Sequence, residues 1–395
     1  MQVYNSGMFV RENYFDYAAT TPVHPDVLTA MTPYFSEIFG NPSSAHAWGQ
    51  AGFGAVEDAR RRLAAWFRTE SENIIFTGSS TEANNMVLHG LVMRYWNQAH
   101  VPGHVLISRM EHSAVRQTAE MLERSGFCSL DMLPIDSDGV VDPQDVARML
   151  RPDTVVVSVI YGNNEIGTIN PVAEIGAVCA ERGVPFHSDA TQFAAHNRLE
   201  LRLLPVDFIS VAAHKCYGPK GIGALIKKTA APVPPLIHGG RQENAERAGT
   251  HNVPFIVGMA ETYHLLETDF ERRIPVESEM RERLIQQILD SVPDSRLTGH
   301  RTKRLSNHAS FAFKNIDALS LQSILDQKGF AVSIGSACRS KSVKGQQQLR
   351  DIGLDDHWSN GGLRLSVGMY TTAEAVDALV KAIAESVAFL RKSGL

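Results

Sequence analysis

Short apolar runs alternate with segments of helical periodicity through the first two-thirds of the chain, and this alternation limits the possible folds more than any other feature. One helical segment, 171–183, has Pro171 near its first turn and Gly183 at its end. Strands that are apolar throughout are buried on both faces, so the pattern predicts an α/β fold with a mostly parallel sheet covered by helices. The strand candidates are 72–78, 104–109, 153–161, 184–189, 206–213 and 221–227.

The order of elements changes after about residue 262. A strand at 307–313 is followed by a helix, a Gly/Ser-rich loop and a final helix from about 372, which is an α+β arrangement. A chain of 395 residues is also long for a single core, which favours one large domain and a smaller one. The predicted large domain is 15–261, and the predicted small α+β domain is formed by 1–14 and 262–395.

Charge and cysteine content argue against several classes of protein. A net charge of −5 without a basic stripe gives no reason to expect nucleic acid or an anionic membrane as the main partner. No apolar run approaches the roughly 20 residues that span a bilayer. The first residues lack a secretory-signal pattern, so we expect a cytoplasmic protein. The four cysteines (Cys128, Cys179, Cys216 and Cys338) are far apart, which argues against a disulfide scaffold and a zinc site.

Polar residues follow several predicted strands at their carboxyl ends, where open α/β sheets bind ligands. The stretch GSSTEANN, 78–85, opens a helix, and its free N–H groups suit a phosphate; the alternative is an ordinary cap made by Ser80 or Thr81. His112 follows another strand, where an isolated histidine is more often a surface or capping residue. Asn163 lies in a turn flanked by glycines, where asparagine is commonly a turn former.

Asp189 and Lys215 are harder to explain as structural residues. Asp189 ends an apolar strand, and a buried carboxylate is costly unless it meets a cation. Lys215 ends another strand, where burial lowers the pKa of its ammonium group and suits it to Schiff-base chemistry. Together, the polar residues at the ends of the predicted strands suit a ligand with an anionic group, a cationic ring nitrogen, a flat face and an aldehyde. Pyridoxal 5′-phosphate (PLP) has all four features.

Other cofactors fit the sequence less well. The stretch GPKGIG, 218–223, lacks the G-x-G-x-x-G order and leads into a strand, and no P-loop motif occurs. His187 and Asp189 alternate correctly for one face of a strand, but further metal ligands cannot be assembled around them. We therefore expect no metal site.

Ten motifs follow one another from Tyr14 to the last helix and cover nearly the whole chain. They are YFDYAATTPVHP, GNPSSAH, TGSSTEANN, EHSAV, NNEIGTI, HSDATQ, HKCYGPKGIGAL, HGGRQENAERAGTHN, GSACRS and LRLSVG. In this order they resemble the cysteine desulfurases, which are PLP enzymes of fold type I in the class V aminotransferase group. The resemblance implies a seven-stranded sheet in the large domain and places the chain in the branch of the family with a long cysteine-bearing loop.

The resemblance also implies a role for each residue near the cofactor. Lys215 resembles the lysine that binds the cofactor as a Schiff base, Asp189 the partner of the pyridinium nitrogen, and His112 the histidine stacked on the ring. Thr250 resembles the threonine that reaches the phosphate of the other subunit, which implies a homodimer. The remaining implied contacts are Asn163 and Gln192 near the ring hydroxyl, with Asn163 also on the substrate side, and Ser80, Thr81 and His214 at the phosphate.

Cys338 matches the cysteine that receives sulfur in this family. Nearby Arg339, Lys341 and Lys344 favour its thiolate over its thiol, and Gly335 suggests a mobile loop. The alternative is an exposed thiol without a function. Cys216, although it follows Lys215 directly, is expected to be a packed residue of the turn.

The implied reaction converts L-cysteine to L-alanine and leaves the sulfur on Cys338 as a persulfide for an acceptor protein of unknown identity. Arg364 matches the arginine that binds the substrate carboxylate, Lys215 removes the Cα proton, and His112 is a further acid/base. Three alternatives stay open: a selenocysteine lyase, a cysteine/cystine C–S lyase, and a non-catalytic scaffold for sulfur transfer.

Two positions depart from the family pattern. Ala212 stands where a hydroxyl residue is common two positions before the histidine of the HK pair, so one hydrogen bond to the phosphate is expected to be missing. Arg339 replaces the small hydroxyl residue that usually follows the loop cysteine, which affects the thiolate or the surface offered to an acceptor.

Overall fold

A computed structural model describes residues 10–228, 233–334 and 347–393. Its larger sheet has seven strands in the order β1-β7-β6-β5-β4-β2-β3. All are parallel in direction except β7, which is antiparallel to both of its neighbours. The mostly parallel seven-stranded sheet predicted above is therefore confirmed. Its strands are β1 Ile74–Thr77, β2 Gly103–Ser108, β3 Cys128–Leu133, β4 Thr154–Ser158, β5 Phe186–Asp189, β6 Phe208–Ala212 and β7 Gly223–Lys227.

Six of these strands coincide with the predicted ones, and β3 is the strand that the sequence analysis did not find. It lies at the edge of the sheet, paired only with β2 among the described strands. Its central residues are half-buried, and they include the polar Ser129 and Asp131. An edge strand of this kind lacks the continuous apolar run that marks its neighbours.

Helices cover both faces of the large sheet. Neighbouring residues of a strand point to opposite faces, so Ile75 packs with α4 and α5 while Ile74 packs with α3, α7 and α9. The helices are α1 Pro25–Met31, α2 Pro33–Ser36, α3 Ala47–Trp66, α4 Ser80–Ala99, α5 Ser113–Arg124, α6 Pro143–Met149, α7 Val172–Glu181, α8 Phe193–His196, α9 Val253–Ser291, α10 Ala318–Gln327, α11 Gln347–Asp351, α12 Asp356–Ser359 and α13 Ala373–Ser393. None of the described helices has the length and apolar character needed to cross a membrane.

A second, antiparallel sheet has the order β10-β9-β8, with β8 Ser295–Thr298, β9 His308–Phe313 and β10 Gly362–Ser366. Its apolar side chains pack with the second half of α9 and with α10 and α13, and Phe15 belongs to the same cluster. The helix α9 runs without interruption through residue 262, where the domain boundary is predicted. Its first half packs in the core of the large sheet, and its second half packs in the core of the small sheet. The division into domains stays a prediction.

Candidate active site

A cavity of about 520 Å³ opens at the carboxyl edge of the parallel strands. Loops that follow β2, β4, β5 and β6 converge there with the start of α4, as expected for an open α/β sheet. Eight residues predicted from the sequence line this cavity: Ser80, Thr81, His112, Asp189, Gln192, His214, Lys215 and Arg364. Residues more than 280 positions apart in the chain are thus brought to one site.

The start of α4 forms one end of the cavity. Ser79 is the N-cap, and its side chain accepts a hydrogen bond from the backbone N–H of Glu82 at 3.1 Å. The alternative that Ser80 or Thr81 is the cap is therefore wrong, by one residue for Ser80 and by two for Thr81. Because Ser79 performs the capping, the hydroxyls of Ser80 and Thr81 stay at the helix N-terminus, where its dipole favours an anion.

His214 lies at the same cavity, after β6. One ring nitrogen, Nδ1, is 3.2 Å from the hydroxyl of Thr20. Burial lowers the pKa of His214 to about 4, and the charges of Lys215 and Lys220 act in the same direction. The ring is therefore neutral at pH 7, with one N–H that can donate to an anion.

Asp189 ends β5 at the floor of the cavity and is 4% exposed. Its Oδ2 accepts a hydrogen bond from Asn84 Nδ2 at 2.7 Å, and its Oδ1 accepts one from the backbone N–H of Thr191 at 3.0 Å. A buried carboxylate held by two neutral donors is suited to receive a cationic group of a ligand.

Lys215 closes the short 3-10 helix that follows β6. Its Nζ donates hydrogen bonds to the carbonyls of Ala18 and Ala19, both at 2.8 Å. Burial lowers the pKa of Lys215 to about 8, and the charge of Arg364 adds to the effect. The turn that follows Lys215 leaves no room for a side chain at Gly218, since a Cβ there would lie 2.5 Å from the hydroxyl of Thr262. An amine that loses its proton this readily is a usable nucleophile near neutral pH.

Cys216, next in the chain, is buried, and its Sγ contacts the carbonyl of Ala213 at 3.4 Å. Burial raises the pKa of its thiol to about 12. This agrees with the expectation that Cys216 is a packing residue.

Two further predicted residues hold loops at the cavity. His112 is the N-cap of α5, and its Nδ1 accepts a hydrogen bond from the backbone N–H of Ala114 at 3.1 Å. Gln192 donates from Nε2 to the carbonyl of Ala18 at 2.7 Å, while its buried Oε1 has no hydrogen-bond partner in the described protein. That orphaned oxygen is available to a ligand donor.

Asn163 does not line the cavity. Its Oδ1 accepts hydrogen bonds from the backbone N–H groups of Glu165 and Ile166, and its Nδ2 donates to the carbonyl of Met110. These three bonds make it a turn former, the alternative left open by the sequence. The neighbouring Asn164 lines the cavity, and the implied role of Asn163 near the ring hydroxyl and the substrate stays a prediction.

Arg364 reaches the cavity from β10 of the smaller sheet. Its Nη2 donates to Asp16 Oδ1 at 2.9 Å and to Ser333 Oγ at 3.1 Å. Its Nη1 donates to the carbonyl of Asn164 at 3.0 Å and lies 3.5 Å from Glu165 Oε1. The guanidinium is thus fixed in place before any ligand arrives, as a carboxylate clamp requires.

Thr250 and Cys338 are the two remaining residues of the predicted site. Thr250 is exposed and does not line the cavity. Cys338, with Arg339, lies outside the described residues.

Besides Asn164, three residues of the site are not predicted from the sequence: Asp16, Asn84 and Glu165. All three lie within the quoted motifs, at YFDY, EANN and NNEIG. A polar residue on the buried face of a helix, as Asn84 is on α4, is a signal that periodicity provides. Asp16 and Glu165 could not be found that way, because their position depends on where the remote Arg364 lies.

The fold and these side chains define the class V aminotransferase group, and the family model described as aminotransferase class-V matches residues 13–379. A curated relative, cysteine desulfurase IscS of Dictyoglomus turgidum, is 40% identical over 93% of this chain and 92% of its own. The IscS of Methanosarcina thermophila is 38% identical over 96% and 92%. The chain belongs to the cysteine desulfurase family.

Solved structures agree with this placement. A structure described as a NifS-like protein has a TM-score of 0.88 at 32% identity, with 96% of this chain and 100% of that chain covered. A structure of SspA in complex with cysteine has a TM-score of 0.80 at 30% identity, with 91% and 100% covered. The similarity therefore includes both sheets.

Proposed function

We propose that this protein converts L-cysteine to L-alanine with PLP as its cofactor and transfers the sulfur to Cys338 for delivery to an acceptor protein. The observation that carries the proposal is the placement of Lys215 in one cavity with the buried carboxylate of Asp189 and the guanidinium of Arg364. The first two groups match the demands of a PLP ring, and the third matches the carboxylate of an amino acid.

The side chains present fit PLP. Asp189 would hold the ring nitrogen, and the orphaned Oε1 of Gln192 would accept from the ring hydroxyl. The start of α4, with Ser80 and Thr81, and the neutral His214 would hold the phosphate. When bound, PLP supplies an electron sink for the electrons of the Cα–H bond.

The chain's own residues supply the remaining steps. Arg364 orients the substrate carboxylate, and Lys215, whose pKa of about 8 lets it exist as a free amine, accepts the Cα proton. His112, at the start of α5, is the further acid/base that the family resemblance implies. The thiolate of Cys338 attacks the substrate sulfur, so an S–S bond forms as the C–S bond breaks. L-Cysteine and the Cys338 thiol thereby become L-alanine and a Cys338 persulfide.

We also propose a homodimer in which Thr250 reaches the phosphate of the other subunit. Thr250 is exposed and absent from its own cavity, and the adjacent His251 lines a separate cleft together with Phe53. Phe53 belongs to a set of exposed aromatic side chains that includes Phe39 and Trp48, whose rings are 5.2 Å apart. Aromatic surface of this kind is typical of a protein interface.

The three described cysteines are free, which suits the reducing cytoplasm.

Replacing the loop cysteine tests the sulfur step. In Cys338→Ser, we expect alanine formation from L-cysteine to fall by at least about a hundredfold and protein-bound persulfide to disappear, because a hydroxyl is a poor acceptor of sulfur. Alanine is measured by chromatography and persulfide by mass spectrometry. Cys128→Ser, which makes the same change at a buried thiol away from the cavity, is the matched control. A Cys338→Ser protein that forms alanine at the full rate would contradict the transfer of sulfur to Cys338.

Restoring a hydroxyl at Ala212 tests the phosphate end of the site. Ala212 pairs with Gly223, whose Cβ position would lie 2.8 Å from the backbone nitrogen of Ser80. Paired residues present their side chains on the same face, so Ala212 faces the start of α4. We expect Ala212→Ser to bind PLP roughly fivefold more tightly, the equivalent of about 1 kcal/mol for one hydrogen bond. Fluorescence titration of the apoprotein measures the affinity, and unchanged affinity would show that Ser79 and Ser80 already compensate.

A further inference from the structure

Glu165 is a cavity residue for which the proposed reaction has no use. It is 9% exposed, and it lines the cavity beside Arg364 and Lys215. A carboxyl group in a pocket that is meant to receive an amino acid carboxylate is at first sight unfavourable, because like charges repel strongly where water is excluded.

The contacts of Glu165 explain how it is tolerated. Its Oε1 accepts a hydrogen bond from Asn164 Nδ2 at 2.8 Å and lies 3.5 Å from Arg364 Nη1. The other end of the guanidinium, Nη2, is bonded to Asp16 and Ser333. Each end of the Arg364 guanidinium therefore contacts a carboxylate, and the contact with Glu165 is longer than the contact with Asp16.

An incoming carboxylate changes this balance. Nη2 of Arg364 is 2.9 Å from Asp16 Oδ1, whereas Nη1 is 3.5 Å from Glu165 Oε1. A ligand carboxylate therefore displaces the contact with Glu165 more easily than the contact with Asp16. A ligand carboxylate that binds there lies within a few ångströms of the Glu165 carboxyl group. Two carboxylates that share one site do not both stay ionised, and one of them takes up a proton.

We propose that Glu165 stands in for the substrate carboxylate at Arg364 in the free protein and takes up one proton from solvent when an amino acid carboxylate binds. Glu165 is thus a positioning residue that couples substrate binding to pH. The inference rests on the proposed function only in that the ligand carries a carboxylate.

The charged groups that face Glu165 support this behaviour. Burial raises its pKa, and of the charges around it Asp16, from the segment before α1, acts in the same direction. Arg364 from β10 and Lys215 from the turn after β6 lower it, as does the hydrogen bond from Asn164. Once a ligand carboxylate neutralises Arg364, the charge that most favours ionised Glu165 is offset, so binding raises the pKa of Glu165 further. Affinity should then fall as pH rises through the range where free Glu165 ionises.

The experiment uses the dimeric holoenzyme and 3-mercaptopropionate, which carries the carboxylate and thiol of cysteine but no amine. Isothermal titration calorimetry between pH 5.5 and 8.5, in buffers of different ionisation enthalpy, measures the protons taken up per ligand bound. For the wild type we expect uptake approaching one proton and an affinity that falls by up to about tenfold per pH unit. For Glu165→Gln, which mimics the protonated acid, we expect no uptake and an affinity independent of pH.

Two controls locate the proton. Glu174→Gln removes an exposed carboxylate on α7 and should behave as the wild type. The visible absorption of the cofactor reports its own protonation, so uptake without a change in that band belongs to a side chain. Uptake that persists in Glu165→Gln, disappears in Asp16→Asn, or tracks the cofactor band would overturn the proposal. Alanine formation from L-cysteine is a separate assay, so its absence would refute the proposed reaction and leave this test intact.

Discussion

Lys215→Ala is expected to abolish L-cysteine turnover, with a loss of at least about a thousandfold in kcat, because in the proposed function Lys215 is both the cofactor anchor and the acceptor of the Cα proton. General acid–base catalysis alone contributes about 10² to 10⁴. The structure offers no replacement nearby among the described residues: the other amine in the same loop, Lys220, is exposed and does not line the cavity. Alanine formation and the visible absorption of purified protein are the two measurements.

The two measurements separate the roles of Lys215. Loss of the visible band with retention of PLP after dialysis would mean that the cofactor is bound but not joined to the lysine. Lys220→Ala is the matched control and should retain both the band and the activity. A Lys215→Ala protein that still forms alanine above one-tenth of the wild-type rate would contradict the assignment, and so would a normal absorption spectrum.

The sequence predicts six of the seven strands of the large sheet because strands that are buried on both faces consist of short, continuous apolar runs. Ile74, Ile75 and Phe76 of β1 are all buried, since one helical layer covers each face. Residues at the carboxyl ends of such strands, such as Asp189 and Lys215, can be placed in one site because the topology makes those ends meet. Only the order of the elements is needed to place them together.

What the sequence does not predict depends on contacts between remote segments. Asn163 and Asn164 are adjacent and chemically identical, and only the folded loop decides which one points into the cavity. The two carboxylates at Arg364 come from residues more than 190 positions away from it in the chain. The sequence also does not identify the cap of α4, because Ser79, Ser80 and Thr81 are all suitable caps.

Glu243→Ala is expected to reduce the free energy of unfolding by about 3–5 kcal/mol, because it removes the buried counter-ion of the half-buried Arg60 and leaves only the more exposed Glu57. Glu243 is buried and accepts two hydrogen bonds at 2.8 Å from Arg60. It also accepts from the backbone N–H of Phe76 at 2.9 Å, and its Oε1 is 2.7 Å from His251 Nε2. These bonds connect β1 and α3 to the loop that carries Thr250. Urea denaturation at fixed protein concentration measures the loss.

The pH dependence gives this prediction a second, independent test. Burial alone would raise the pKa of Glu243, but the hydrogen bonds from Arg60 and His251 outweigh it and lower the pKa from 4.5 to about 2. A lowered pKa contributes stability that is fully present above about pH 4.5 and is lost as the pH falls towards 2; here it amounts to about 3 kcal/mol. Glu243→Gln should therefore flatten the loss of stability in that range.

Glu57→Ala, which removes the more exposed partner of the same Arg60, should cost less than about 1 kcal/mol. Equal effects of the Glu57 and Glu243 variants would show that burial of the ion pair has no special importance here.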